Sequence, residues 1–406
     1  MKLGSVILHI MAILMGMQAA WGAEPEAKHP FPAHQHYPGA ISPSGYSQRQ
    51  LDQNLWQYYL HWKKHYLVQE GRRFRVAMDK KDKTRTTSES QGYGMLITAY
   101  FAGADPEAKR IFDGLYIFSR LYPSSICHDL MSWEVPEKKK GKGDSAFDGD
   151  ADIAYALLLA DRQWGSDGLI NYRKEARKII DAIMRCTIGR QSHLPLLGDW
   201  VDPKGKRYNQ YTTRSSDFML GHFRTFYRFT KEKRWLQVVD ACQHAAEDIQ
   251  NLKENNTSLI SDFLYYDRKK KHFFPTARHF LETEDDSYYY NACRDPWRIG
   301  TDALLHHDPR SRRIVRQMLY WVWIASGKDP AQIKSGYRLD GTVIGDYPSI
   351  AFIAPFGVAA KSDPRMQEYL DAIYDYIRAR HENYYEDSIS LLSQLVMTNN
   401  WWEPAY

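Results

Sequence analysis

The sequence predicts an all-α domain in which about a dozen helices form two concentric rings. Apolar residues recur at helical spacing along most of the chain, whereas the alternation typical of strands is scarce. Segments that are apolar on every face, such as residues 153–160, alternate with amphipathic segments such as residues 51–62. Because a helix that is apolar all round must be buried, the first kind of segment predicts an inner ring and the second an outer ring.

Signals for helix starts occur throughout the chain. Ser47 precedes a segment with helical spacing, and residues 88–91 have the form of a capping box, in which Ser is followed three positions later by Gln. An N-cap residue stands before a proline suited to the first helical position at Asp105, Asp308, Asp329 and Asp363. Further helices are predicted over residues 150–164, 172–183, 217–229, 235–249, 297–305, 349–359 and 387–397.

The N-terminal residues 1–23 have the pattern of a secretory signal. Lys2 provides the positive charge, residues 6–17 the apolar run, and residues 20–22 the cleavage site. The apolar run is shorter than a confident membrane span. We therefore expect an exported protein, periplasmic or secreted, that has no membrane contact after the signal is removed.

The mature chain is expected to be one domain with a short N-terminal extension. Residues 24–46 are rich in Pro, His and Gly and predict a loose arm, whereas residues 47–406 contain no break in composition. The formal charge of +5 is mild, and the lysine clusters at 138–142 and 269–271 are interpreted as solvated loops. Since no nucleic-acid-binding motif accompanies them, no nucleic-acid partner is predicted.

The four cysteines are widely scattered, at positions 127, 186, 242 and 293. Cys186 and Cys242 lie inside helical patterns and are interpreted as small buried hydrophobic residues. An exported protein can form disulfides, but spacing alone does not give their connectivity, so no specific pair is predicted.

Three carboxylates at every second position, Asp148, Asp150 and Asp152, stand where the chain enters a nearly all-apolar helix. A calcium-binding loop is excluded because its sixth and twelfth positions, which require Gly and Glu, are Ile153 and Leu159. Helix capping accounts for one or two of the acids. A carbohydrate-cleaving site remains, because that chemistry needs carboxylates in a cleft wall, and the 12 Trp and 28 Tyr residues suit sugar stacking.

Five motifs stand in a fixed order between residues 45 and 402. They are SESQGYGM (88–95), SAFDGDADIAYALLLADRQW (145–164), RSSDFM (214–219), YNACRDPWR (290–298) and DSISLL (387–392). Together they resemble the motifs of glycoside hydrolase family 8, except that Phe147 replaces the usual Ser or Thr. The resemblance implies an (α/α)6 barrel and inverting hydrolysis of β-1,4-linked glycans, with no metal or cofactor.

The resemblance implies that Glu89 is the general acid. A surface glutamate in a capping box is the alternative interpretation. A role for Glu89 near neutral pH requires a raised pKa, from desolvation or from a neighbouring anion such as Asp148. Asp148 is expected to bind hydroxyl groups at the subsite where the sugar ring is distorted and to influence Glu89. Asp150 and Asp152 fit helix capping better, although Asp150 could instead support the site from behind.

The position of the usual base is Asn291, whose amide cannot accept a proton from water. Either the protein is inactive or another carboxylate has taken this role. A second branch of the family, which includes chitosanases and lichenases, keeps this Asn and uses a Glu from a loop just upstream. Residues 280–291 resemble that loop, and Glu282 is the predicted base, with Glu284 second and an ordinary solvated acidic loop as the alternative.

Further residues resemble substrate-binding positions of the family. Trp133 and Trp200 resemble stacking platforms, although a single Trp is more often a core residue. The other predicted substrate-binding residues are Arg214, Asp217, Tyr290, Asn291 and Arg294. For Arg214 and Asp217, a buried ion-pair network is an interpretation compatible with substrate binding.

We therefore predict an exported, monomeric, endo-acting hydrolase of a β-linked polysaccharide, either cellulose-like or mixed-linkage glucan. Chitosan is the alternative substrate, since the branch of the family that the sequence resembles includes chitosanases. The acidic loop at 282–286 favours a polycation, whereas the basic overall charge opposes it. A catalytically silent glycan-binding protein is the alternative of a different class, and Asn291 is the residue that supports it.

Overall fold

The structure, a computed structural model, describes residues 26–136 and 143–406. These ranges contain twelve α-helices, numbered in chain order. They are α1 Gln48–Tyr66, α2 Ser88–Tyr100, α3 Ala108–Leu121, α4 Phe147–Trp164, α5 Tyr172–Cys186, α6 Leu220–Thr230, α7 Arg234–Gln250, α8 Asp295–His306, α9 Pro309–Ala325, α10 Ile350–Lys361, α11 Gln367–Ile377 and α12 Tyr384–Met397.

The helices form an (α/α)6 barrel, as predicted. The even-numbered helices contact one another in the order α2, α4, α6, α8, α10 and α12, and α12 contacts α2, which closes the inner ring. Helices α2, α4 and α10 are buried along nearly their whole length. The odd-numbered helices pack outside and present one polar face to solvent, as the alternation of the two segment types predicts.

Seven short strands lie in the loops at the ends of the helices. Strands β1 Leu67–Glu70 and β2 Arg73–Val76 pair antiparallel, β3 Thr86–Thr87 pairs antiparallel with β4 Glu134–Val135, and β5 Thr212–Arg214, β6 Phe263–Asp267 and β7 His272–Pro275 form a three-stranded antiparallel sheet. Strand β3 leads directly into α2, and β5 ends at Arg214. The strands therefore fix where the chain enters two segments that carry predicted site residues.

Two glycines allow α2 and α4 to approach closely. A Cβ added at Gly92 would lie 2.7 Å from the Cβ of Asp152, and one added at Gly149 would collide with the backbone of Ser88 and Glu89. Real Cβ atoms do not approach other atoms so closely, so either substitution would force the helices apart. The two glycines thus bring the first turns of α2 and α4 together.

The capping box of α2 begins one residue earlier than predicted. Thr87 is the N-cap residue, and the side chains of Thr87 and Ser90 each accept a hydrogen bond from the other's backbone N–H. Gln91 is buried and donates to two backbone carbonyl groups of neighbouring elements. The capping box begins at Thr87 rather than at Ser88 because Thr87 has the extended backbone of β3. Glu89 therefore lies in the first helical turn.

The other helix predictions are correct to within a few residues, with local differences. Asp308 caps α9 as predicted, whereas Asp329 and Asp363 begin short 3-10 turns and α3 begins only at Ala108. The helix predicted over 217–229 is divided into a 3-10 turn, Ser215–Asp217, and α6. Because the helix is divided, Arg214 and Asp217 lie before the first turn of α6.

The N-terminal arm is packed rather than loose. Residues 26–46 contain no helix or strand, but Phe31 and Tyr37 are buried and the backbone N–H of Phe31 donates to Ala102. The hydroxyl of Tyr37 donates to the carbonyl of Trp401. Buried aromatic rings within the Pro-rich segment are the reason that it adheres to the barrel. The predicted signal at 1–23 and the lysine cluster at 138–142 lie outside the described residues.

No helix in the described part of the chain is both long enough and apolar enough to span a membrane.

Cys186 is disulfide-bonded to Cys127, so its interpretation as a small buried hydrophobic residue is wrong. The bond joins the last residue of α5 to the loop after α3 across a sequence separation of 59 residues. Cys242 and Cys293 are free and buried, and the interpretation of Cys242 is confirmed. The helical pattern around Cys186 gave no sign of the partner, because pairing depends on the loop that returns from α3.

The Cys127→Ser/Cys186→Ser double variant is expected to lose about 2–5 kcal/mol of unfolding free energy, because the bond restricts a long loop in the unfolded chain. Urea unfolding of both proteins, with and without dithiothreitol, measures the difference. Dithiothreitol should destabilise the wild type and leave the double variant unchanged. Equal stability of the oxidised wild type and the double variant would contradict the expectation.

Candidate active site

One cavity at the mouth of the barrel, with a volume of about 400 Å³, collects most of the predicted site residues. The first turns of α2 and α4 form one wall, and the loop before α8 forms the opposite wall. The lining residues are Met78, Thr87, Ser88, Glu89, Trp133, Ala146, Asp148, Arg214, Glu282, Tyr290, Asn291, Arg294, Tyr385 and Glu386. The structure therefore brings together eight residues that the sequence predicted separately: Glu89, Trp133, Asp148, Arg214, Glu282, Tyr290, Asn291 and Arg294.

Glu89 projects from the first turn of α2 into the cavity. Its Oε2 accepts a hydrogen bond from Nη1 of Arg294 at 2.8 Å, and its Oε1 accepts one from the hydroxyl of Tyr384 at 3.0 Å. Burial raises the pKa of Glu89, and the Asp148 carboxylate raises it further, while Arg294 and Tyr384 oppose the shift. Glu89 is therefore a partly buried carboxyl group, 17% exposed, that holds its proton more tightly than a solvated glutamate.

Asp148, in the first turn of α4, is held as an anion. Burial alone would raise the pKa of Asp148, but the guanidinium groups of Arg214 and Arg294 outweigh it and hold the pKa below its ordinary value. Nη2 of Arg214 lies 3.0 Å from Oδ1, and Nη1 of Arg294 lies 2.9 Å from Oδ2. Arg294 thus bridges the Asp148 anion and Glu89 through the same nitrogen.

Asp217 is fully buried behind Arg214 and does not line the cavity. It accepts three hydrogen bonds from that guanidinium at 2.9–3.2 Å, and burial raises its pKa to about 6. The prediction that Asp217 binds substrate directly is therefore wrong, and the buried ion-pair interpretation is the correct one for this residue. Its position is explained by the 3-10 turn, which directs the carboxylate inward toward Arg214.

Asp150 and Asp152 support the site from inside the barrel. Asp152 is completely buried and pairs with Nη1 and Nη2 of Arg298 at 2.9 and 2.6 Å, and with His222 at 2.9 Å. Asp150 accepts a hydrogen bond from the backbone N–H of Met131 at 2.8 Å, and burial raises its pKa well above the ordinary value. Both side chains bond residues of other elements rather than the N–H groups of α4, so the helix-capping interpretation is wrong for them.

Glu282 reaches the cavity from the loop between β7 and α8. Its Oε2 accepts a hydrogen bond from Nδ2 of Asn291 at 3.1 Å. The buried carboxylate of Asp285 holds this loop, because it accepts the backbone N–H groups of Leu281 and Glu282 at 2.6 and 2.8 Å. Glu284, the second candidate, instead lies 3.2 Å from Arg278 and does not line the cavity.

Asp262, which the sequence did not indicate, lies beneath Asn291. Oδ2 of this buried carboxylate accepts the backbone N–H and Nδ2 of Asn291, both at 3.0 Å, and Oδ1 accepts the backbone N–H groups of Tyr289 and Ala292. Burial raises the pKa of Asp262 to about 7. Asn291 therefore donates from one amide group to two carboxylates, Asp262 and Glu282.

The two predicted stacking residues have different positions. Trp133 lines the cavity with 37% of its surface exposed, and its backbone carbonyl accepts the N–H of Ser88 at 2.9 Å. Trp200 is not found among the described residues that line this cavity, and it packs with Tyr208 in a small apolar cluster that includes Phe280. The structure therefore supports the cleft position for Trp133 alone.

The first turn of α12 contributes residues that the motif at 387–392 did not include. Tyr384 bonds Glu89, and the hydroxyl of Tyr385 donates to the carbonyl of Tyr290. Glu386 lines the cavity, and burial raises its pKa. Their place at the start of an inner helix could have indicated them in the sequence, because the first turn of such a helix lies at the mouth of the barrel.

The arrangement places a carboxyl group of raised pKa, a fixed anion and an exposed carboxylate around one cavity. Such a set can donate a proton from Glu89, hold hydroxyl groups at Asp148, and accept a proton from water at Glu282. The chemistry matches the acid and base that glycoside hydrolysis requires, and it uses only side chains of the chain itself.

Comparisons with known proteins agree with this geometry. The model of the family described as "Glycosyl hydrolases family 8" matches residues 31–399. The chain is 38% identical over 388 residues to an endoglucanase of Bacillus sp. (strain KSM-330), covering 92% of this chain and 82% of that protein. It is 38% identical over 378 residues to a beta-glucanase of Niallia circulans, covering 92% and 91% of the two chains.

A solved structure is also similar along the whole barrel. The apo structure of a beta-1,3-1,4-glucanase from Paenibacillus sp. X4 superposes with a TM-score of 0.89 at 38% identity, covering 93% of this chain and 100% of that one.

The Arg298→Met variant is expected to lose about 3–5 kcal/mol of unfolding free energy, because it leaves Asp152 charged and buried without its guanidinium partner. Urea unfolding measures the loss. Arg177→Met is the matched control, since Arg177 pairs with Asp181 on the surface of α5 and should cost less than about 0.5 kcal/mol. Similar losses in the two variants would contradict the buried ion pair as a main support of α4.

Proposed function

Because the chain belongs to family 8 of the glycosyl hydrolases, we propose that it is an endo-acting, inverting β-glucanase that cleaves β-1,4-linkages in cellulose-like or mixed-linkage glucan. The observation that carries the proposal is the convergence of Glu89, Asp148 and Glu282 on one cavity. The relatives described as an endoglucanase, a beta-glucanase and a beta-1,3-1,4-glucanase support the substrate class.

Glu89 is proposed as the general acid that protonates the leaving oxygen. The acid must carry its proton at working pH, and burial together with the Asp148 anion raises the pKa of Glu89. Arg294 and Tyr384 hold its two oxygens in fixed directions. An exposed capping glutamate would have neither property, so the environment favours the catalytic interpretation.

Glu282 is proposed as the base that activates water, in place of the usual aspartate at position 291. Asn291 cannot accept the proton, but its amide fixes the orientation of Glu282 through the bond to Oε2. Glu284 is engaged with Arg278 and lies away from the cavity lining. These contacts favour Glu282 over Glu284, and they favour an active enzyme over a silent glycan-binding protein.

Asp148 and Trp133 are proposed to bind the sugar. The Asp148 anion, held between two guanidinium groups, offers acceptor oxygens to ring hydroxyl groups next to the scissile bond. The exposed indole of Trp133 offers a flat surface on which a pyranose ring can stack. Tyr290 lines the opposite wall and has its hydroxyl 2.9 Å from that of Tyr347.

Chitosan is the less favoured substrate. The acidic loop at 282–286 favours this polycation, but most of the charge of the loop is compensated inside the protein. Glu284 and Asp286 lie 3.2 and 3.4 Å from Arg278, and Asp285 is buried against backbone N–H groups. Only Glu282 among these acids lines the cavity, so the loop itself contributes little negative charge that could attract a polycation.

We also propose that the protein is exported after removal of residues 1–23 and acts as a monomer. The Cys127–Cys186 disulfide supports export, because such bonds persist in oxidising compartments outside the cytosol.

The Glu282→Gln variant is expected to lose about 10²–10⁴-fold in kcat on barley β-glucan, since it removes the base while keeping the shape of the side chain. Reducing-end release from barley β-glucan, carboxymethyl cellulose and chitosan measures the activity, and Glu89→Gln should fall in the same way. Glu284→Gln is the matched control from the same loop and should change kcat by no more than about fivefold.

Two outcomes would contradict these assignments. If Glu284→Gln rather than Glu282→Gln loses activity, the base is Glu284. If the wild type binds β-glucan in affinity electrophoresis but releases no reducing ends from any of the three polymers, the protein is a silent glycan-binding protein.

The Tyr384→Phe variant is expected to move the basic limb of kcat/KM against pH toward higher pH. The hydroxyl of Tyr384 stabilises the ionised form of Glu89, so its removal raises the pKa of Glu89 further. Because a general acid is active only while protonated, activity is lost as pH rises through that pKa, and the loss now occurs later.

A pH profile on β-glucan measures the shift. Tyr58→Phe is the control, since Tyr58 is an equally buried tyrosine whose hydroxyl donates to the carbonyl of Arg380 far from Glu89. A basic limb that moves to lower pH, or moves equally in both variants, would contradict the assignment of Glu89 as the acid.

A further inference from the structure

Three side chains with metal-binding atoms meet behind the first turn of α12, outside the cavity described above. They are His61 on α1, His381 in the loop before α12, and Asp387 on α12. Nε2 of His61 and Nδ1 of His381 each lie 3.8 Å from Oδ2 of Asp387, and the three atoms lie within 4.8 Å of one another. Neither the acid–base chemistry nor the motif comparison gives this cluster a role.

The imidazole rings are held in the neutral form that binds metal ions. Burial lowers the pKa of His61, and the neighbouring His65 lowers it further. Burial together with His61 lowers the pKa of His381 to about 4. Nδ1 of His381 is buried and makes no hydrogen bond to any other described residue, so this nitrogen has no competing partner.

Asp387 supplies the anionic donor. It is completely buried, and burial raises its pKa to about 6, so it is ionised above neutral pH. Its carboxylate is already fixed, since Oδ2 accepts the hydroxyl of Tyr66 at 2.7 Å and Oδ1 accepts the backbone N–H of Glu382 at 2.7 Å. The two imidazoles keep about 30% of their side-chain surface exposed, so an ion can reach the cluster from solvent.

We propose that His61, His381 and Asp387 form a binding site for a divalent transition-metal ion of the zinc class. Two neutral imidazoles and one carboxylate, with water as a fourth ligand, are a donor set that zinc prefers over magnesium or calcium. Tetrahedral ligand atoms about 2.0–2.1 Å from one ion lie about 3.3–3.4 Å apart, so both 3.8 Å separations must shorten by about half an ångström when the ion binds.

Binding requires one local movement. The rings of His61 and His381 are stacked with centroids 3.5 Å apart and an angle of 7° between their planes. Because an imidazole lone pair lies in the ring plane, one ring must rotate for both nitrogens to point at one ion. His381 lies outside the helices, in the connection between α11 and α12, and is the ring with freedom to turn.

The bound ion would stabilise the folded structure and would take no part in the hydrolysis itself. Asp387 lies in the first turn of α12, which also carries Tyr384, the hydrogen-bond donor to Glu89. An ion on Asp387 would tie α1 and the preceding loop to this turn, and it would stabilise the folded state by an amount that grows with the logarithm of the ion concentration above Kd. The glycan cavity itself contains no ligand of the proposed ion.

The experiment titrates Zn²⁺, and separately Co²⁺, into the metal-free full chain, without an affinity tag, at pH 7.5. Isothermal calorimetry is expected to show one ion per chain, and Co²⁺ is expected to give visible absorption bands of imidazole–carboxylate coordination. Zn²⁺ should raise the Tm of the wild type. The His61→Ala and His381→Ala variants should each weaken binding at least tenfold and lose the rise in Tm.

His244→Ala is the matched control, because His244 on α7 is half exposed and lies 3.6 Å from Asp248, which also lies 3.0 Å from His272, in a histidine–carboxylate group away from the cluster. It should bind Zn²⁺ like the wild type. Absence of binding by the wild type, or binding that persists in both His61→Ala and His381→Ala, would overturn the proposal. Circular dichroism of the two variants shows whether they are folded, so that a loss of binding is attributed to the ligands.

Discussion

The buried guanidinium of Arg294 is the interaction on which the site depends. It is only 2% exposed, yet it contacts Glu89, Asp148, Asn291 and Ser216. Burial of so many polar groups costs free energy unless each group has a hydrogen-bond partner. The planar guanidinium group donates hydrogen bonds to side chains from four segments of the barrel at once. The same cation limits how far burial raises the pKa of Glu89, and it keeps Asp148 ionised.

The packing of the inner helices makes this network possible. Without side chains at Gly92 and Gly149, the first turns of α2 and α4 come close enough for one guanidinium to bridge Glu89 and Asp148. Beneath them, the ion pair of Asp152 and Arg298 fixes α4 against α8, the helix that follows Arg294. The positions of Glu89 and Asp148 at the mouth of the barrel therefore depend on charged side chains that are buried within it.

Much of the fold and site could be predicted from the sequence, and the remainder depends on tertiary contacts. The helical periodicity identified nearly every helix, and the motifs singled out Glu89 and Asp148, which meet in one cavity because each lies in the first turn of an inner helix. Asp262 gave no such signal, because a lone aspartate in a loop acquires its role only when the loop folds beneath Asn291. The Cys127–Cys186 pairing was missed for the same reason, since it depends on how a distant loop returns to the barrel.

The amide at position 291 is best understood from its two neighbours. Nδ2 of Asn291 donates to Asp262 at 3.0 Å and to Glu282 at 3.1 Å, so it lies between two carboxylates. A carboxylate at 291 would lie within hydrogen-bonding distance of two other acids, and like charges so close to one another disfavour ionisation. An amide removes this repulsion, supplies the donor that holds Glu282, and still accepts Nη2 of Arg294 through Oδ1. An amide at position 291 therefore suits a site in which Asp262 is buried beneath it and Glu282 is the proposed base.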